Sequence, residues 1–370
     1  MYNKSTENVF EDYARREGGI GIATIQDVAT ALGLSVSTVS RALNNYADVN
    51  QQTRNRVLAA AKELGYSPNL NARSLSSKRH PCGVMIISGF LEERMFNEFA
   101  SMLMQGAYTY TLEHGKDLPV RVITSHVQEE KSFDQLCHEY GASGAILLGV
   151  RTNDPYYELL PRSQTPCVTI DLDIKGPNLV NVGLDDVKAF KDLTQHLIDC
   201  GHRKIVLLYG RRSAAVSQKR FEGFKQAMEQ NGLPVSEDQI IYTSFLEEQA
   251  YHGVMRYFAE HERDEATAFL CMSDKVACGA MAAIKALGYS VPQDYSVVGF
   301  DGLQITRYTD PQLTTVDQNV VAKGYMAAKL LYGMLSGERP EDEVLLPHTI
   351  MKRASVRILE DAKTLGCDLT

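Results

Sequence analysis

The stretch from Thr24 to Leu43, TIQDVATALGLSVSTVSRAL, constrains what this chain can fold into more than any other. Ile25, Val28, Ala29 and Leu32 recur at helical spacing, which predicts a short helix with one apolar face. Gly33 supplies a turn where positive φ is available, and Ser35 stands as the N-cap of a second helix that buries Val39, Ala42 and Leu43. The outer face of that second helix carries Val36, Ser37, Ser40 and Arg41, short side chains plus one long cation, suited to lying in a groove. Two helices and a sharp turn also describe an ordinary hairpin inside a core. The continuation separates the two readings: a third helical run follows from Thr53 to Leu64, with Asn50 as its N-cap, apolar positions at Val57, Leu58, Ala61 and Leu64, and Gly65 as its stop. Three helices of this size make a complete helix-turn-helix unit, whose second helix is expected in the major groove of DNA. In the next segment, GYSPNLNARSLSSKR, Pro68 can open a short helix presenting Ala72, Arg73 and Leu75.

A net charge of −8 looks wrong for a partner of nucleic acid until it is divided along the chain. Between Thr24 and His80 seven Lys and Arg stand against three Asp and Glu, while the rest of the chain has 31 against 43. A small cationic module meeting phosphates, with an acidic body kept off them, produces such a split.

Downstream of Arg79 the pattern changes to alternating strand and helix. Apolar runs at Val84 to Ile87, Val120 to Thr124, Ala145 to Leu148 and Val168 to Ile170 are separated by helix-length segments, including Asn97 to His114 and Glu129 to Tyr140. A second series has strands at Ile205 to Tyr209, Ile240 to Tyr242, Ala268 to Met272 and Val297 to Phe300. Its helices lie at Asp186 to Cys200, Lys219 to Asn231, Glu247 to His261 and Lys275 to Leu287. The tail adds the strand LTTV, a helix from Asn319 to Leu335, and strand-like pieces at Val344 to Leu346 and Thr349 to Met351. Continuous buried strands joined by amphipathic helices imply parallel sheets covered on both faces, here two of them. The expected fold class is therefore α/β, two doubly wound parallel-sheet lobes preceded by an all-α headpiece. Ligands of such sheets sit beyond the carboxyl ends of the strands. That rule selects Asp171 after CVTI, Ser273 and Asp274 after AFLCM, and Asp301 after SVVGF; Asp171 and Asp274 can equally be read as N-caps or turn residues.

At this level the chain resembles the lactose- and galactose-repressor family, through TIQDVA, VSTVSRALN, TRNRVLAAAKELGY and PN..ARSL between Thr24 and Leu75. The resemblance implies a headpiece over 24–67, a hinge helix and linker over 68–80, and an effector-binding core over 81–370, similar to periplasmic sugar-binding proteins. By the same resemblance the chain crosses between lobes near Asn181, Val316 and Gly337, so that lobe 1 takes about 81–181 and 317–337 and lobe 2 about 182–316 and 338–370. Residues 1–23 depart from the family pattern and are expected to form a mobile extension.

The family's motif positions imply that Val36, Ser37 and Arg41 face base edges, and that Thr24, Ser35, Thr38, Asn44, Asn50, Thr53 and Tyr66 hold phosphates. The physics agrees for Arg41, which can pair with guanine O6 and N7, and for Val36, which can touch a thymine methyl. A solvated surface arginine is the plainer reading of Arg41. Asn69, Ala72 and Leu75 fall on the implied hinge helix, where the leucine matches the family's minor-groove wedge. In the core, Arg220 matches the effector-binding arginine in its RxxGF context, Asp301 the aspartate of a VxGxD block, and Phe245 an aromatic against the ligand. A guanidinium fork, a carboxylate and a flat apolar face suit the vicinal hydroxyls and C–H face of a sugar. Ser273 stands where many sugar-responsive members have Asn, and SGFLEERMFN differs from the family's Asn-Pro-Phe-Phe block. Ser88, Phe90 and Phe99 are expected to line the cleft.

The implied function is sequence-specific repression of transcription, with affinity for a palindromic operator switched by a small effector between the lobes. A sugar or sugar derivative is the expected effector, a nucleobase or other metabolite the alternative. A homodimer is expected, since DAKTLGCDLT carries no leucine heptad for a tetramer. No cofactor or metal is called for. Two rivals share the scaffold. A free solute-binding protein would need an export signal, which the first 23 residues do not contain. An enzyme could use Asp171 and Asp173 as a DxD, but HExxH, GxSxG and Walker patterns are missing, and GGIGIA follows no strand. Seven scattered cysteines without a CxxC pair read as reduced thiols, and no apolar run reaches membrane length, so a cytoplasmic protein is expected.

Overall fold

The structure, a computed structural model of the 370-residue chain, describes residues 24–43, 46, 48–64, 66, 82–89 and 98–359. The implied hinge helix and N-terminal extension, together with Asn44, Gly65, Asn69, Ala72, Leu75 and Phe90, lie outside the described residues. Two compact units divide between His80 and Pro81.

The first unit contains α1 (Ile25–Leu32), α2 (Val36–Leu43) and α3 (Gln51–Glu63). Each begins on a side chain that satisfies an orphan helix N–H. Thr24 and Asp27 form a reciprocal capping box, Ser35 Oγ accepts from Thr38 N at 3.1 Å, and Asn50 Oδ1 accepts from Thr53 N at 2.8 Å. Gly33 ends α1 in the left-handed region at φ 63°. The shared core is small and tight: Val28, Ala29, Val39, Ala42, Val57, Ala60, Ala61 and Leu64. Leu58, expected on the buried face of α3, is half exposed, because Val57, Ala60, Ala61 and Leu64 already complete a stripe at helical spacing.

The second unit contains two six-stranded sheets. The first is ordered β11-β5-β4-β3-β1-β2, from β1 (Gly83–Ser88), β2 (Val120–Ile123), β3 (Gly144–Leu148), β4 (Cys167–Ile170), β5 (Leu179–Leu184) and β11 (Glu343–Leu346). The second is ordered β12-β10-β9-β8-β6-β7, from β6 (Ile205–Tyr209), β7 (Ile240–Tyr242), β8 (Ala268–Cys271), β9 (Ser296–Asp301), β10 (Thr314–Asp317) and β12 (Thr349–Met351). All pairings are parallel except β10 with β12. Alternation sorts the side chains of one strand into two cores: Met85 and Ile87 join one cluster, Val84 and Ile86 the other. The helices that cover the sheets include α4 (Glu98–Glu113), α5 (Ser125–Glu130), α6 (Phe133–Glu139), α7 (Pro155–Leu159), α8 (Asp186–Asp199), α9 (Ala215–Gln230), α10 (Glu247–Glu260), α11 (Asp274–Ala286) and α12 (Val320–Leu335).

Three expectations need correction. The single helix from Glu129 to Tyr140 is two, α5 and α6, the second started by a Ser132–Gln135 capping box. LVNVGL is a fully buried strand, so the first crossing comes after Leu184 rather than near Asn181. Residues 338–346 do not belong to the second lobe: β11 pairs in parallel with β5, from Glu343 opposite Asn181 to Leu346 opposite Leu184. The third crossing is therefore at Pro347 and His348, and Gly337, at φ 95°, only follows the end of α12. The second crossing lies at Gln318 and Asn319, beside the expected Val316.

Candidate functional site

On the first unit, α2 presents Ser37 and Arg41 to solvent, with Ser35 exposed at its start. Val36 is half-buried and packs partly on the core, so only part of its side chain is available to a partner. Arg41 is ion-paired with Asp48 and lies over the Tyr46 ring, 5.5 Å from its centroid. Of the expected phosphate ligands, Thr24, Ser35 and Asn50 are the three helix N-caps, each accepting a hydrogen bond from an N–H of the first turn. Thr38 donates to or accepts from the Ser35 hydroxyl at 2.8 Å. Thr53 and Tyr66 are half-exposed, and Tyr66 packs against the core.

In the second unit, the carboxyl ends of the two sheets enclose a cavity of about 590 Å³. Its wall includes Ser88, Asp171, Arg220, Phe245, Ser273, Asp301 and Phe99, but not Asp274, which the strand-end rule also selects. Their roles differ. Arg220, on α9 and 3 % exposed, donates from Nε to Asp186 Oδ1 at 2.8 Å and from Nη1 to the Met272 carbonyl at 2.5 Å. Its guanidinium lies over the Phe300 ring at 3.8 Å, and Nη1 approaches Asp301 Oδ1 at 3.9 Å. Burial opposes its charge, yet the neighbouring Asp186 and Asp301 outweigh that and hold it above the ordinary arginine value. Asp301 shows the reverse balance: burial, against the pull of Arg220 and Lys323, pushes its carboxyl up to about 7.

A chain of buried polar groups runs on from there. Gln318, at the second crossing, donates from Nε2 to Asp301 Oδ1 at 2.7 Å and accepts from the Lys323 ammonium. Lys323, fully buried on α12, also reaches Asp171 Oδ1 at 2.6 Å. Asp171 and Lys323 belong to the first lobe, Arg220 and Asp301 to the second, and Gln318 is the hinge residue between them. Both aspartates have positive φ, 54° at Asp171 and 122° at Asp301, as do Ser244 at 51° and Phe245 at 63°. Left-handed non-glycine residues cost of order 1–3 kcal/mol each and gather where side chains must be aimed. Gly210 makes this possible for Phe245: a Cβ there would overlap the phenyl ring and Ser217 Oγ.

Ser273 is chiefly structural, because its hydroxyl accepts from Val276 N at 3.2 Å as the N-cap of α11. Asp274 is structural too. Its oxygens accept from Leu303 N at 2.8 Å and from the Thr315 hydroxyl at 2.5 Å, and burial raises its carboxyl well above the ordinary value. Asp171 and Asp173 each face a cation, Lys323 and Lys219, so the DxD pattern does not present two open carboxylates.

Three contacts join the lobes. Thr152 donates from its backbone N to the Ser213 carbonyl at 2.8 Å and from its hydroxyl at 3.1 Å. Gln304 N donates to Glu98 Oε1 at 2.5 Å, and Lys219 pairs with Asp173 at 3.1 Å. Sequence reasoning missed Arg151, Arg211, Lys275 and Gln318 in the wall. Arg151 and Arg211 each follow a strand's carboxyl end, the same signal that selected Asp171 and Asp301.

A helix-turn-helix unit followed by two α/β lobes around a cavity is the architecture of a DNA-binding regulator with a small-molecule site. Residues 24–69 match the model for bacterial regulatory proteins of the lacI family, and residues 194–356 that for a periplasmic binding protein-like domain. The chain is 30% identical over 341 residues to the probable HTH-type transcriptional repressor ExuR of Bacillus subtilis (strain 168), covering 91% of this chain and 99% of that protein. Among solved structures, the transcriptional regulator CelR–cellobiose complex is similar at 26% identity with a TM-score of 0.68, covering 90% of this chain and 99% of that one. The lac repressor dimer bound to operator and the anti-inducer ONPF shares the fold at 24% identity with a TM-score of 0.77, covering 91% and 100%. The chain belongs to the lacI family of bacterial regulatory proteins; it is a helix-turn-helix transcriptional regulator and not an enzyme. No described helix is long and apolar enough to cross a membrane.

Proposed function

We propose that this chain represses transcription as a homodimer on a palindromic operator, and that a sugar or sugar derivative in the cavity between its lobes switches operator affinity. The observation that carries the reading is the cavity floor: the Arg220 fork, the Asp301 carboxylate and the Phe245 face line one cavity with the hinge residue Gln318. Vicinal hydroxyls suit the fork and carboxylate, and a sugar's C–H face suits the ring. Effector binding acts through whatever lobe arrangement it prefers, since only differential affinity for two arrangements can move the equilibrium. Because Gln318 bonds a residue of each lobe, a ligand that withdraws Asp301 or Arg220 from this network alters the hinge directly.

On DNA, Val36, Ser37 and Arg41 read bases, while Thr24, Ser35, Thr38, Asn50, Thr53 and Tyr66 hold phosphates. The capping geometry of Thr24, Ser35 and Asn50 supports the phosphate roles. The test is a thermal-shift screen of the full chain against monosaccharides, disaccharides and nucleobases, because a ligand of the folded state raises the melting midpoint. A midpoint shift with sugars that disappears in Phe245→Ala is expected. A shift with nucleobases alone would replace the sugar reading.

A further inference from the structure

We propose that α12 carries the state of the hinge network to the start of β1, with the Tyr332 hydroxyl as its output contact; this rests on the effector reading above. β1 is the first strand after the linker expected over residues 68–80, so its opening residues are where a change in the second unit passes into the chain that leads to the headpiece.

The two ends of α12 touch opposite edges of the first sheet. At its start, Asn319 is both N-cap and crossing residue, held at φ 51°, and Lys323 reaches Asp171 at 2.6 Å and also donates to Gln318. Asp171 follows the carboxyl end of β4 in the cavity wall. At the far end, Leu331 and Tyr332 press on the amino end of β1. A Cβ on Gly83 would stand 2.9 Å from Leu331 Cδ2 and 2.9 Å from Tyr332 Oη. Gly83 N donates to Tyr332 Oη at 3.3 Å, and the hydroxyl in turn donates to the Asp117 carbonyl. Tyr332 is buried, so these bonds fix where the strand begins.

A helix passes on a displacement when it moves as a body. The nine residues from Lys323 to Tyr332 make about 14 Å of helix. Over that length α12 meets α4 backbone to backbone at Gly106 and Gly324, and Ala327, Ala328 and Leu331 lie in the core of the first lobe. Close-packed contacts of this kind shift between discrete arrangements and do not deform smoothly, so motion at the crossing moves the helix. The lobes change their relation through Gln318, which bonds Asp301 in one and Lys323 in the other. Such a change pulls on the first turn of α12 and arrives at Gly83. Tyr332 is thus a positioning residue, acting on the linker through the strand it holds.

The test is a double-mutant cycle on operator affinity, with the full chain, no ligand, and a duplex selected from a random pool by the wild type. Lys323→Met and Gln318→Leu disturb the input end; Tyr332→Phe removes the output hydroxyl and keeps the ring. Each input variant should change operator Kd by at least about fivefold, and that change should shrink to under about twofold in the Tyr332→Phe background. Lost packing alone lowers the melting midpoint but leaves the fold-change equal in both backgrounds. K323M strips Asp171 of its cation and can fail to fold; Q318L, which keeps that pair, then decides. The proposal is overturned if the input variants leave Kd within about twofold of wild type, or if their effect is the same with and without the hydroxyl. A non-additive cycle in a chain that no sugar or nucleobase stabilises keeps α12 as the transmitter and overturns the effector reading. An additive cycle in a chain that a sugar stabilises does the reverse. A wild type that enriches no duplex overturns both.

Discussion

Arg41 and Asp48 form an ion pair in which both side chains are half exposed, so the pair is worth well under about 1 kcal/mol and yields readily to a guanine edge. Arg41→Ala should leave headpiece stability nearly unchanged and alter which operator bases are preferred; competition binding with single-base operator variants reads this out. Arg220 is the opposite case. With Asp186 and Asp301 buried around it, Arg220→Met leaves carboxylates without their cation and should cost about 3–5 kcal/mol in urea unfolding of the core. Asp301 gives a pH signature with a definite sign. Its folded value of about 7 lies above the unfolded value near 4, so over that window the native chain holds more protons, and its contribution to stability falls as pH rises. His202, lowered to about 4 by burial, acts in reverse between about 4 and 6.5. Comparing wild type with Asp301→Asn cancels the histidine. The variant should gain stability relative to wild type as pH rises from about 4 to about 7, then hold a constant difference. A pH-independent difference would remove the buried-carboxyl account. At this scale the sequence disclosed Arg220 and Asp301 through their motifs. It hid Arg151 and Arg211, because the rule that ligands gather after strands selects many loop residues and spacing does not say which point inward.

The elements most legible in the sequence are those with a period and a cap. The three headpiece helices follow from their apolar stripes and, for the second and third, from Ser35 and Asn50, and the second lobe's strands from unbroken apolar runs. Strand β5 was illegible because Asn181 and Gly183 interrupt it, and only the fold supplies what makes the asparagine tolerable there: Leu172 N donating to its Oδ1, and Glu343 accepting from its amide. β11 was legible as a strand but not as a member of the first sheet, since a half-exposed edge strand carries no pattern that distinguishes one sheet from another. Helices α4 and α12 meet through two glycines. A Cβ on Gly106 would overlap the Val321 carbonyl, and one on Gly324 the Leu103 carbonyl, backbone atoms that cannot rotate away. Gly106→Ala or Gly324→Ala should therefore cost about 1–3 kcal/mol or prevent folding of the core, and thermal denaturation decides it.

Across the whole molecule, the acidic two-lobed unit contains a hinge network, three bridging contacts and a cavity, while the cationic unit contains a reading helix with its caps. Lobe closure and the hinge are linked because Gln318 joins Asp301 to Lys323 at the crossing itself. On the proposed reading, effector occupancy and operator affinity are reciprocal, with a coupling of about 1–3 kcal/mol typical of such switches. The direct measurement is a titration of the 370-residue chain with a palindromic operator from upstream of its own or neighbouring genes, at fixed salt, with and without a cavity ligand. Sequence-selective, salt-sensitive binding whose affinity changes about five- to 150-fold with the ligand, and no longer changes in Arg220→Met, is the predicted result. Operator affinity that is indifferent to every ligand shown to occupy the cavity would contradict the account.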